Sequence, residues 1–159
     1  MLLNNKILLI SSSGGHLLQL LTLSKALREY NLTLITEKNT STSSKSFEGF
    51  ESVYLLPHGG REKLLVYPFK FLVNILISAF RVLTIRPKVI ITTGAHTAVP
   101  TCYLGKLIGS RVIYIETFAK INTPTITGRI IHPIADSFYV QWESMLKFYK
   151  KAKFVGSIY

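Results

Sequence analysis

The chain has 159 residues, 48% of them hydrophobic and 17% charged, and its 19 Lys and Arg outnumber 8 Asp and Glu for a net charge of +11. That length suits one domain of the ordinary ~100–200 residues. The apolar share excludes disorder, and a single cysteine, Cys102, excludes a disulfide scaffold. The first element is a strand at Lys6–Ile10, apolar on both faces as a covered parallel strand is. Leucines from Leu17 to Leu27 then recur at helical spacing up to Tyr30, and Leu32–Thr36 predicts a second strand. A Ser/Thr-rich loop follows over Lys38–Gly49, then a strand at Ser52–Leu56 and a loop at Pro57–Gly60. The long apolar segment Leu64–Ile85 precedes a strand at Lys88–Ile91 and a turn at Thr92–His96. A helix is expected over Thr97–Leu107, with Pro100 in its first turn where proline is tolerated. The remaining elements are a strand at Arg111–Ile115, a short helix at Thr125–His132, a strand at Ser137–Val140 and a helix at Glu143–Lys150. Strands alternating with helices predict an α/β fold, a Rossmann-like, mostly parallel sheet with helices on both faces, in one domain over residues 1–159.

The charge is unevenly placed. Residues 1–60 hold 5 basic and 4 acidic side chains, residues 61–88 hold 6 and 1, and residues 89–159 hold 8 and 3. The basic residues punctuate apolar segments and form no dense stripe or nucleic-acid motif, which argues against nucleic acid as the partner and for an anionic membrane face. A signal peptide is not expected, since the N-terminal apolar run is interrupted at Ser11. The segment Leu64–Ile85 is long enough to cross a bilayer, but Pro68, Lys70, Asn74 and Arg81 interrupt it. It reads either as an interfacial helix, with Lys63, Lys70, Phe71, Leu72 and Arg81 at the lipid surface, or as a core helix of the sheet.

Two strand ends carry candidate chemistry. Ser13, Gly14, Gly15 and His16 lie where the first strand gives way to a helix, and Gly94, His96 and Thr97 repeat that arrangement after a later strand. Ligands of open parallel sheets bind outside the carboxyl ends of the strands, and free N–H groups at helix starts attract anions. Both stretches also read as structural turns. Glu116 closes the fifth predicted strand, either as a sugar ligand or base or as a loop-anchoring acid. Neither a metal, a cofactor nor a nucleophile elbow is expected, because the four histidines and Cys102 lack ligand spacing and no G-x-S-x-G occurs. The tail through Phe148, Tyr149, Phe154 and Val155 mixes aromatic and basic residues, either as a partner-docking edge or as a final helix and strand.

Ser-Ser-Gly-Gly-His-Leu at 12–17, Thr-Thr-Gly-Ala-His-Thr-Ala-Val-Pro at 92–100, Tyr-Ile-Glu-Thr-Phe-Ala at 114–119 and Val-Gly-Ser-Ile-Tyr at 155–159 together resemble one family. It comprises the N-terminal half subunits of split GT-B glycosyltransferases. Bacterial capsular and exopolysaccharide proteins belong to it, as does the membrane-anchoring subunit of the dolichol-linked N-acetylglucosaminyltransferase. The chain is also similar to the acceptor half of the peptidoglycan lipid I N-acetylglucosaminyltransferase. The resemblance implies that Ser13, Gly14, Gly15 and His16 border a polyprenyl-pyrophosphate-linked saccharide, with His16 a candidate base. It implies that Gly94, His96, Thr97 and Glu116 complete the cleft, Glu116 in a catalytic role. By the same resemblance a separate small subunit supplies the nucleotide-sugar domain, at the cytoplasmic face of the plasma membrane, with 64–85 in place of an N-terminal anchor. The alternative is a self-sufficient small enzyme acting on a nucleotide sugar or phosphorylated sugar.

Overall fold

The computed structural model describes residues 3–43, 47–57 and 67–158. In chain order they form β1 (Leu3–Ile10), α1 (Gly15–Ser24), β2 (Tyr30–Glu37), α2 (Thr40–Ser43), β3 (Ser52–Leu56), α3 (Tyr67–Ile85), β4 (Val89–Thr92), α4 (Ala98–Leu107), β5 (Arg111–Ile115), α5 (Ile126–Ile131), β6 (Ser137–Val140) and β7 (Ala152–Phe154). Short 3₁₀ turns follow α1, at Lys25–Leu27, and precede β7, at Glu143–Phe148. The seven strands make one sheet in the order β3-β2-β1-β4-β5-β6-β7, and every pair is parallel. The chain thus builds outward from β1 in one direction and, from β4, in the other. The crevice between the β1 and β4 loops is the topological switch point, where such sheets bind ligands.

Side-chain alternation divides the core into two layers. Ile7 and Leu9 of β1 pack with Leu32, Leu34 and the α1 leucines Leu17 and Leu20, while Leu8 and Ile10 face Val82 of α3 and Ala98 and Cys102 of α4. Strands buried on both faces read as unbroken apolar runs, which is why β1 and β4 stand out in the sequence. Burial pushes the Cys102 thiol up to about 12, so it packs as a small apolar side chain and not as a nucleophile.

Four expectations shift. The helix expected to reach Tyr30 ends at Ser24 and tightens into 3₁₀ geometry, and β2 starts at Tyr30. The Ser/Thr loop contains α2, where Thr42 donates to the Glu37 carbonyl at 2.8 Å while Asn39 Oδ1 accepts the Thr42 N–H at 2.8 Å. Short polar side chains that bond the local backbone create such turns without hydrophobic periodicity. The expected last helix, Glu143–Lys150, is a 3₁₀ segment ending at Phe148. The segment expected over Leu64–Ile85 is helical from Tyr67, and Leu64 to Val66 lie outside the described residues.

Candidate functional site

The chain leaves β1 at Ile10 and turns through Ser11–Gly14 into α1. Gly14 has φ +82°, a left-handed conformation that costs glycine little, and it caps α1 without a side-chain hydrogen bond. His16, in the first turn, bridges to the neighbouring strand's loop. Its Nδ1 lies 2.8 Å from the Thr93 carbonyl, and the Thr93 hydroxyl donates to the His16 carbonyl at 2.8 Å. A carbonyl oxygen only accepts, so Nδ1 carries the hydrogen and the neutral ring keeps its lone pair at Nε2. The reciprocal pair fixes the tautomer that a base requires.

The β4 loop is built around the same contact. Gly94 has φ +108°, and its N–H donates to Thr92 Oγ1 at 3.0 Å. A Cβ at Gly94 would meet the Tyr114 hydroxyl at 2.9 Å and His16 Cε1 at 3.5 Å, so this position admits no side chain. Ala95 follows at φ +78°, where an L-residue with a Cβ is strained by about 1–2 kcal/mol. Thr97 is fully buried beside the start of α4. Strain concentrated at a strand end beside a histidine is characteristic of ligand sites.

His96 points elsewhere. Its Nε2 lies 3.8 Å from Glu37 Oε1 at the end of β2, and its ring centroid is 6.5 Å from that of Phe71. Thus the two histidines expected to share the crevice divide: His16 joins Gly94 and Tyr114, and His96 joins Glu37 and the first turns of α3. Phe71, expected at the lipid surface, is half-buried and turned toward His96. Arg81, expected there too, places its guanidinium 3.8 Å from the Tyr54 ring centroid, toward β3. The ring attracts the cation and holds it toward the sheet. Lys70 and Leu72 are exposed on α3, and Lys63 lies outside the described residues.

Glu116 is 1% exposed and accepts from the Thr117 N–H at 3.0 Å, the Thr125 hydroxyl at 2.9 Å, the Tyr114 hydroxyl at 3.3 Å and the Tyr149 hydroxyl. A carboxylate so enclosed has no lone pair directed at a substrate, which corrects its assignment as a base to that of a loop anchor. Burial, reinforced by the Glu116 charge, holds the Tyr114 phenol well above the usual tyrosine range. For Tyr149, burial and then its bond to Glu116 do the same, so both phenols stay neutral donors. Gly128 is required here, because a Cβ would lie 2.4 Å from Glu116 Oε2 and from the Tyr149 hydroxyl.

Tyr149 is therefore a second correction. It was expected on the docking edge, but it is 2% exposed and belongs to the core beneath the site. Its neighbours Phe148, Phe154 and Val155 are exposed along the β7 edge of the sheet. Thr93 and Tyr114 lie in the quoted motifs and Thr125 opens a predicted helix, but nothing in the sequence assigned any of them a role at the site, and Glu37 was not singled out. Glu37 carried a usable signal, an acid ending an apolar strand as Glu116 does. Among the described residues, no group of three or more His, Cys, Asp or Glu is placed to hold a metal ion.

The seven-stranded parallel sheet with flanking helices has the fold of one half of larger solved enzymes. The chain superposes on MurG from Acinetobacter baumannii with a TM-score of 0.69 at 15% identity, covering 88% of this chain and 42% of that one. On UDP-N-acetylglucosamine 2-epimerase from Rickettsia bellii the TM-score is 0.75 at 10% identity, covering 98% and 46%. Residues 7–158 match the family described as oligosaccharide biosynthesis protein Alg14 like, and the chain belongs to that family. It is similar to the UDP-N-acetylglucosamine transferase subunit ALG14 of Candida albicans, 39% identical over 89 residues, 52% of this chain and 41% of that one. It is also similar to the subunits of that name from Debaryomyces hansenii, 30% identical over 96% of this chain and 75% of the relative, and Homo sapiens, 25% identical over 96% and 82%. The chain thus spans less than half of the Candida subunit and of the two solved enzymes.

Proposed function

We propose that this chain is the acceptor-binding, membrane-recruiting subunit of a two-component glycosyltransferase. The partner is a small donor-domain subunit that carries a nucleotide sugar, and the acceptor is a polyprenyl-pyrophosphate-linked saccharide. The observation that carries the reading is the His16–Thr93 bridge at the β1/β4 switch point, on a fold that forms one half of MurG. In this reading the acceptor hydroxyl attacks the anomeric carbon of the sugar, the nucleotide leaves with the bonding pair, and His16 Nε2 takes the hydroxyl proton. The positive end of the α1 dipole attracts the acceptor's pyrophosphate. The names of the relatives support UDP-N-acetylglucosamine as donor. Capsule or exopolysaccharide synthesis at the cytoplasmic face of the plasma membrane is the setting we assign, on the resemblance of the ordered motifs.

Membrane recruitment is supported by α3. Residues Pro68–Ile85 form the one helix among the described residues long and apolar enough to cross a bilayer, with mean hydropathy 1.6 and only 17% of the stretch buried. Its inner side is packed on α4 and the sheet through Asn74, Ser78 and Val82. A helix fixed along the protein in that way favours lying on the lipid surface over crossing it.

The test is His16→Ala in the reconstituted complex. Removal of a general base is worth about 10²–10⁴ in rate, so transfer falls by that factor while subunit association is unchanged. Unchanged transfer would refute the assignment of His16.

A further inference from the structure

Phe148 and Tyr149 are consecutive and face opposite ways. Phe148 is 40% exposed at the end of the 3₁₀ turn, while Tyr149 is buried with its hydroxyl on Glu116. The Tyr149 carbonyl then accepts the Ala152 N–H that opens β7, the edge strand carrying exposed Phe154. From the Glu116 carboxylate the contacts continue inward. The Tyr114 hydroxyl bonds Glu116 at 3.3 Å and Thr125 at 3.2 Å, and it fills the space beside the Gly94 Cα that borders His16. Glu116 is held from its backbone too, by Gln141 Nε2 on its carbonyl at 3.0 Å and by its N–H on the Tyr139 carbonyl at 2.8 Å. One buried carboxylate therefore joins three parts of the chain: the end of β5, the start of α5 and the turn into β7.

Such a group responds as a unit. A buried carboxylate that loses one donor is left under-compensated, at a cost greater than the net contribution of the hydrogen bond lost. Displacing the Tyr149 hydroxyl therefore rearranges the remaining donors, and Tyr114 is the donor that touches the crevice. We propose that Tyr149 and Glu116 are positioning residues, through which docking of the donor subunit on the β7 edge sets the placement of Tyr114, Gly94 and His16. This rests on the two-subunit reading above and adds a route by which the partner is sensed at the acceptor site.

The experiment uses the full chain with its donor subunit and follows three readouts: subunit Kd, kcat and KM for the acceptor, and the imidazole resonances of His16. In the wild type, docking shifts the His16 signals. In Tyr149→Phe the Kd stays within about twofold and the acceptor KM changes little, but kcat falls at least tenfold and the docking-induced His16 shift is lost. Tyr114→Phe, which leaves the Tyr149–Glu116 bond in place and removes the far end of the relay, gives the same pattern should Tyr149→Phe fail to fold. Phe148→Ser does the reverse, weakening Kd while the isolated fold persists. Wild-type kcat in both phenylalanine variants overturns the relay, as does a His16 shift that survives them. Wild-type subunits that transfer sugar without any His16 shift overturn the relay and leave the proposed function standing. Wild-type subunits that do not associate overturn both.

Discussion

Helices α3 and α4 pack against each other on the same face of the sheet, yet they obey opposite rules. Helix α4 buries small and compact residues, Ala98, Pro100, Thr101, Cys102 and Gly105, and so sits close to β4 and β5. Helix α3 buries Asn74 and Ser78 alongside Val82, and it leaves Phe69, Leu72, Val73, Leu76, Phe80 and Leu83 between 42% and 72% exposed. Those six recur at three- and four-residue spacing and share one side of the helix. Each large apolar side chain left in water forgoes about 1.5–3 kcal/mol. Position in the fold does not explain that, since α4 occupies the same layer. On the recruitment proposed above, the outer face of α3 is the one that meets lipid, whereas the inward face of α4 completes the core.

The largest effect is expected on α3. Replacing Leu76 and Phe80 together by serine removes two exposed anchors, and at about 1.5–3 kcal/mol each that predicts at least a hundredfold loss of partitioning onto anionic vesicles. The melting temperature stays put, because neither side chain is in the core. A drop in stability with vesicle binding retained would make the face structural.

The opposite result is expected on α4. A Cβ at Gly105 would lie 2.0 Å from Ile90 Cδ1 and 3.4 Å from its Cγ1, so Gly105→Ala overpacks the helix–strand contact. It costs about 1–3 kcal/mol in chemical denaturation and leaves vesicle binding unchanged for the folded fraction.

A smaller effect is expected at α5, next to α4. His132 stacks edge-on against Phe138 at 5.0 Å, and burial, then Lys151, hold its ring below the usual histidine pKa of 6.5. The unfolded chain therefore binds the proton first, so its contribution is intact above about pH 7 and declines as pH falls through ~6.5. Melting curves at pH 8 and pH 5.5 read this out, and His132→Asn reduces the difference between them. The smallest effect belongs to Lys106→Ala, which removes the ion pair with Asp136 on the outer side of α4. Exposed pairs contribute about 0–1 kcal/mol, so stability moves by no more than that.

Much of the architecture was legible because parallel strands covered on both sides carry continuous apolar runs, as Lys6–Ile10 and Val89–Thr92 do. The two glycine-histidine stretches were legible for the same reason: each directly follows such a run. What local sequence does not encode is which strand end faces which. His16 and His96 look equivalent in the chain, but the register of β1 on β4 gives Thr93 to His16, while the end of β2 gives Glu37 to His96. Tyr149 was misplaced because a tyrosine among lysines has a surface composition, and its partner Glu116 lies 33 residues away. Arg81 was misplaced because helical spacing shows a face, not the aromatic ring of β3 beside it.

On the function proposed above, this chain contributes the acceptor side of a shared active site. That contribution is tested most directly by sugar transfer to a polyprenyl-pyrophosphate-linked saccharide, measured with each subunit separately and with both together. Transfer is expected only when both are present, with the acceptor retained on this chain in the absence of donor. Equal transfer by either chain without the other would contradict it.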